Sequence, residues 1–115
     1  MKHMIKNITK NEDICKNVIV ANNFLKRLKG LMFTKELSSD TSMYINHCNQ
    51  IHTFFMNYNI DVLYLDKNSV IIEINENMKP GKIGKKVKDA VAVVELQGGK
   101  ISKSNLKVGQ AVIIC

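Results

Sequence analysis

The sequence predicts a mainly β fold: a compact antiparallel barrel or sandwich with one or two short helices. Three observations predict it. Short runs rich in β-branched residues recur along the whole 115-residue chain. They are separated by brief polar turns, whereas parallel strands need long, usually helical crossovers. Helical spacing occurs only weakly, near residues 24–31 and 98–106.

In chain order, "KNVIVAN" at 16–22 reads as a strand, and "NNFLKRLKGLMF" then sets Phe24, Leu28 and Leu31 at helical spacing behind an asparagine cap. Gly30 supplies the left-handed residue that commonly closes a helix, so the helix is brief. "SMYIN" at 42–46 and "IHTFFM" at 51–56 read as strands around the polar turn "HCNQ". "IDVLYLD" and "VIIEINEN" flank "KNS" and the preceding Asp66, as expected of a hairpin. In its second arm Val70, Ile72 and Ile74 share one face and Glu73 and Asn75 the other, wetter one. "AVAVVEL" at 90–96 is a further strand, "GGKISKSNL" a weak helix or turn, and "GQAVIIC" the final strand.

Size and composition limit the functional classes. With 45% hydrophobic and 23% charged residues, the chain holds enough apolar material for one folded domain spanning residues 1–115. Its longest apolar runs are strand-sized and too short to span a bilayer, and its first residues lack the apolar centre of a secretory signal. A cytoplasmic location without membrane association is therefore expected. Cys15, Cys48 and Cys115 form an odd set without paired spacing, which fits reduced thiols. The net charge of +7 invites a polyanion as partner, but the abundance of asparagine and isoleucine beside lysine also fits a simple compositional bias.

"IHTFFMNYNIDVLYLD" at 51–66 sets a histidine and an aspartate within apolar material. If 51–56 is extended, His52, Phe54 and Met56 share a face, and in the next strand Asp61 shares one with Leu63 and Leu65. A carboxylate in such a row must be protonated, hydrogen-bonded or met by a cation. Arg27, the only arginine, has the planar fork that suits a carboxylate, and Glu95 is its other candidate partner. Two readings stay open: an ion pair that tethers helix to sheet, or a pocket in which Arg27, His52, Asp61 and Glu95 hold a small anionic or hydroxyl-rich ligand against Phe54 and Met56. No catalytic residue, resident metal or cofactor is assigned.

Two alternatives come from other stretches. "HCNQIH" places His47, Cys48 and His52 within six residues, which suggests metal-assisted chemistry, although the full ligand spacing of a zinc site is missing. Lys79, Lys82, Lys85, Lys86 and Lys88 cluster in "KPGKIGKKVKD", a mobile basic loop that suits nucleic acid if an aromatic such as Tyr58 stands beside it, and otherwise reads as a solvated surface.

"RLKGLMF" at 27–33, "IHTFFM" at 51–56, "IDVLYLD" at 60–66 and the later "AVAVVEL" and "LKVGQAV" together resemble the prokaryotic family known as domain of unknown function 192, over roughly residues 15–115. The resemblance implies a compact antiparallel β-domain of barrel or jelly-roll type, and no established activity. Its motif positions fall on Arg27, Gly30, Leu31, Met32, His52, Thr53, Phe54, Phe55, Met56, Asp61 and Glu95. Asn57, Asn59 and Gln110 depart from the family pattern, which often has a basic residue, a proline and an aspartate there. Many relatives carry an export or lipid-anchor segment ahead of the domain. This chain begins almost directly with it, which again favours the cytoplasm.

Overall fold

The computed structural model describes residues 3–115, apart from the Phe24 side chain. Seven strands form one mixed sheet: β1 (His3–Asn7), β2 (Glu12–Ala21), β3 (Thr41–Asn46), β4 (Ile60–Leu65), β5 (Ile71–Met78), β6 (Ala92–Gln97) and β7 (Val112–Ile114). Two short helices, α1 (Phe24–Lys29) and α2 (Lys100–Lys103), complete it. The spatial order is β5-β4-β6-β3-β2-β1-β7. Both outer strands then approach each other through the bridge Val70↔Ala111 and the bond from Ile71 N–H to the Gln110 carbonyl at 2.8 Å. The sheet therefore curls into a half-barrel, as a mainly β chain of this size can do to shield its edges.

All strand pairs are antiparallel except β2 and β3, which run parallel from Asn17↔Thr41 to Ala21↔Ile45. The crossover that a parallel pair requires is supplied by α1 and the irregular chain after it. The helix starts where Asn23 Oδ1 accepts the Lys26 N–H at 2.9 Å, and ends at Gly30, whose φ of 50° and ψ of −126° suit glycine. Of the expected apolar face of Phe24, Leu28 and Leu31, Leu31 is buried and Leu28 is exposed, and the Phe24 side chain lies outside the described residues.

Because side chains alternate, the curled sheet packs a separate core on each face. Inside the curl lie Ile5, Cys15, Val18, Leu63, Leu65, Ile71, Val94, Leu96 and Val112, with Ile101 and Leu106 from α2 and the turn after it. On the other face, Met43, Ile45, Ile60, Val62, Tyr64 and Val93 are covered by Leu31, Leu37, Ile51, Met56 and Val87 from the long connections. All six residues of β4 are buried for this reason.

Two sequence expectations are corrected. Residues 51–56 form no strand. His52 makes a lone bridge with Ile83, Phe55 takes a φ of 61°, and the Met56 N–H turns back to the Thr53 carbonyl at 3.3 Å. Three hydrogen bonds of the buried Thr53 override the alternating pattern there: its Oγ1 donates to the Lys79 carbonyl at 2.6 Å and accepts the Lys82 N–H at 2.9 Å, and its own N–H donates to the Lys82 carbonyl at 2.8 Å. In β5 the pairing slips between Tyr64↔Glu73 and Leu65↔Ile71, so Ile71 and Ile74 face the inner core and Ile72 the outer one. The hairpin turn is as expected, with Asp66 Oδ1 accepting the N–H groups of Asn68 at 2.9 Å and Val70 at 3.0 Å.

Candidate functional site

Glu95 is set on β6 between Met43 of β3 and Val62 of β4, its direct cross-strand neighbours on the outer face. Neither neighbour offers a hydrogen bond. Glu95 as a residue is only 3% exposed, and its Oε1 has no partner among the described residues. Burial alone pushes its pKa from 4.5 to about 7. Gly30 faces it closely, since a Cβ there would stand 3.5 Å from Oε1.

Above this carboxyl lies a hollow of about 190 Å³ between α1, the chain after it and the 47–56 loop. Leu31, Ile45, Ile51 and Met56 give it apolar walls, while Arg27, the exposed Lys29, Cys48, Gln50, His52 and Glu95 line it as polar or charged residues. Arg27 projects from α1 and donates from Nη1 to Asn46 Oδ1 at 3.3 Å. Gln50 is pinned by its Nε2 bond to the Gly84 carbonyl at 2.8 Å. His52 Nδ1 accepts the Phe54 N–H at 3.1 Å, so in the neutral ring the proton sits on Nε2. Burial first, and the nearby Glu95 carboxyl after it, push the Cys48 thiol up, so it remains protonated near neutrality and is no activated nucleophile.

The residues singled out from the sequence therefore divide. Arg27, His52, Met56 and Glu95 line this hollow; Asp61 and Phe54 do not. Asp61 pairs with Leu96 and so faces the inner core, opposite to Glu95. There it is wholly buried and saturated by backbone: Oδ1 accepts the Asn77 N–H at 2.8 Å and Oδ2 the Ile101 N–H at 2.9 Å. The anticipated ion pair of Arg27 with Asp61 or Glu95 is absent among the described residues, whose salt bridges all lie elsewhere. Phe54 is 39% exposed and stacks on His52, with ring centroids 5.3 Å apart. Cys48 and Gln50, read from the sequence as turn residues, join the hollow because the 47–56 segment loops back over the sheet. No sequence pattern marks that.

The other two candidate features fare differently. No set of three or more His, Cys, Asp or Glu side chains among the described residues is placed to hold a metal ion, so His47, Cys48 and His52 do not converge on one. A larger hollow, about 670 Å³, is lined by Lys67, Lys85, Lys86 and Lys88 together with Asp66, Glu73 and Asp89. Its charges are mixed, and Lys85 is already bonded to Glu73 at 3.0 Å. Tyr58 is not beside it: its hydroxyl meets Thr34 Oγ1 at 2.6 Å, and it lines a separate hollow with Leu37 and Asn77. The loop of residues 79–90 is also stitched down, with Gly84 N–H bonded to the Ile51 carbonyl at 2.9 Å. The smaller hollow is therefore the better site, because it brings a concave wall to an unsatisfied buried polar atom.

Comparison with known proteins points the same way as the fold. The family model of domain of unknown function 192, described as "Uncharacterized ACR", matches residues 5–114. The UPF0127 protein PF1050 of Pyrococcus furiosus is 31% identical over 110 residues, covering 90% of each chain. The UPF0127 protein PH1112 of Pyrococcus horikoshii is 36% identical over 87 residues, covering 70% of this chain and 71% of its own. A crystal structure of a protein of unknown function from Novosphingobium aromaticivorans superposes with a TM-score of 0.81 at 18% identity, covering 98% of this chain and 84% of that one. No helix among the described residues is long and apolar enough to cross a membrane.

Proposed function

The chain belongs to the family of domain of unknown function 192, and from that premise we propose that it is a small-ligand binding domain whose hollow takes a molecule bearing an anionic or hydroxyl group. The observation that carries this reading is the Glu95 carboxyl, buried on the hollow's floor with Oε1 unpartnered. A buried polar atom without a partner costs about 1–3 kcal/mol, and of the three such side chains among the described residues, Ser42, Tyr64 and Glu95, Glu95 is the one that lines this hollow. A ligand hydroxyl would satisfy Oε1, and an anionic group would engage the remaining N–H donors of Arg27. His52 Nε2–H offers a further donor, and Met56 and Ile51 supply apolar contact. The reading assigns binding and no chemical step.

A thermal-shift panel of small carboxylates, hydroxy acids, amino acids, sugars and phosphates tests it. A ligand present at 100 times its dissociation constant adds about 2.7 kcal/mol, which for a domain of this size raises the melting temperature by roughly 10 °C. The expected result is such a shift for one chemical class, weakened in Arg27→Gln and altered in its chemical preference in Glu95→Gln. A panel without any shift, or shifts indifferent to both substitutions, contradicts the reading.

A further inference from the structure

The hollow has two poles of opposite character. Arg27 stands at the wall formed by α1, with Nη1 bonded only to the neutral Asn46 amide and no carboxylate partner among the described residues. Glu95 forms the floor, flanked by Met43 and Val62, and no cation reaches it. The rest of the wall includes the apolar side chains of Leu31, Ile45, Ile51 and Met56, which suit a short alkyl group. A ligand with anionic groups alone would suit Arg27 but set its charge against the floor. A hydroxyl would give Oε1 a hydrogen bond yet leave the carboxylate charge unbalanced. An ammonium supplies both a donor and a countercharge, which is what a buried carboxylate requires.

Resting on the reading of this hollow as a ligand site, we propose that its ligand is a small aliphatic amino acid or a similar amine-bearing carboxylate, seated with its ammonium on Glu95 and its carboxylate toward Arg27. The dimensions agree. About 190 Å³ is below the 300–1,000 Å³ of drug-sized pockets and fits a short carbon skeleton. That burial alone raises the Glu95 pKa agrees as well, because a protein cation close by would have lowered it.

The test is a set of amide NMR titrations at pH 8 on the full chain, with probes matched on two skeletons. One set is L-alanine, L-lactate, propionate and ethylamine; the other is L-valine, 2-hydroxy-3-methylbutanoate, 3-methylbutanoate and 2-methylpropylamine. The expected result is that an amino acid shifts the amides of residues 27–32 and 48–56 and binds at least tenfold more tightly than its matched hydroxy acid, carboxylate and amine. Glu95→Gln should erase that preference while changing carboxylate binding less than threefold, and Arg27→Gln should weaken amino acid and carboxylate alike. Arg27 is only half-buried, so its variant remains informative if the Glu95 variant fails to fold. A carboxylate or hydroxy acid that binds as tightly as its amino acid, in an Arg27-dependent way, overturns the zwitterion assignment and leaves the ligand-site reading standing. No response to any amino acid overturns the assignment too, and the wider thermal-shift panel then decides the parent reading.

Discussion

At the residue scale, two buried acids show how environment divides identical chemistry. Asp61 has both carboxylate oxygens filled by backbone N–H groups, from β5 and from the first turn of α2. It is a structural clasp. Asp61→Asn should cost about 2–3 kcal/mol in urea unfolding, because its amide cannot accept both N–H bonds, and should leave ligand binding untouched once folded. Glu95 has no such partners, and burial holds its pKa near 7 against an unfolded value of 4.5. With the folded pKa raised, the protonated acid favours the fold, so this contribution is complete below pH 4.5 and disappears as pH rises through about 7. The shift corresponds to about 3 kcal/mol. Unfolding at pH 5 and pH 8 should therefore show the native chain losing about that much stability relative to Glu95→Gln; parallel profiles would contradict it. The sequence exposed the need to satisfy Asp61, yet not how it is met, because backbone donors on distant segments carry no side-chain signature. Nor did it reveal that Asp61 and Glu95 lie on opposite faces, since that depends on the register Asp61↔Leu96.

At the element scale, the hollow depends on how α1 ends. The asparagine cap and the glycine stop were legible because each is a local rule of backbone chemistry. Gly30→Ala would force a side chain onto a φ of 50° with ψ of −126°, so it should destabilise the fold by about 1–3 kcal/mol. A chemical-denaturation midpoint unchanged by that substitution would show that the helix end tolerates an ordinary residue. The 51–56 segment departs furthest from the alternation its sequence suggests, and the cause is physical. Ile51, Thr53 and Met56 are buried while Phe55 is 65% exposed, stacked on Phe33 with centroids 5.2 Å apart. Hydrogen bonds from Thr53 to the chain at 79–82 fix that shape, and long-range bonds of this kind leave no periodic trace. The hairpin of β4 and β5 was legible because Asp66 closes its own turn locally, whereas the bulge that reassigns Ile71 and Ile72 was not.

At the scale of the whole molecule, a curled sheet with a core on each face explains both the apolar content of the central strands and the origin of the hollow. The inner core closes where β5 and β7 meet, helped by Gln110, whose Oε1 accepts from Asn7 at 2.9 Å and from the Lys107 N–H at 3.0 Å. Gln110 is thus used to hold a turn. The outer core is roofed by connections that carry Arg27, Cys48, Gln50 and His52 over the one carboxyl that the outer face of β6 contributes. Fold class was legible because it follows from strand-length apolar runs; the hollow was only half legible because it is made by loops meeting over a sheet. Its defining feature is an acid buried without a partner, and that is directly measurable. A ¹³C NMR titration of the Glu95 side-chain carboxyl in the ligand-free protein should give a midpoint near 7. A midpoint near 4.5 would mean that the carboxyl is wet or already partnered, and would contradict the site.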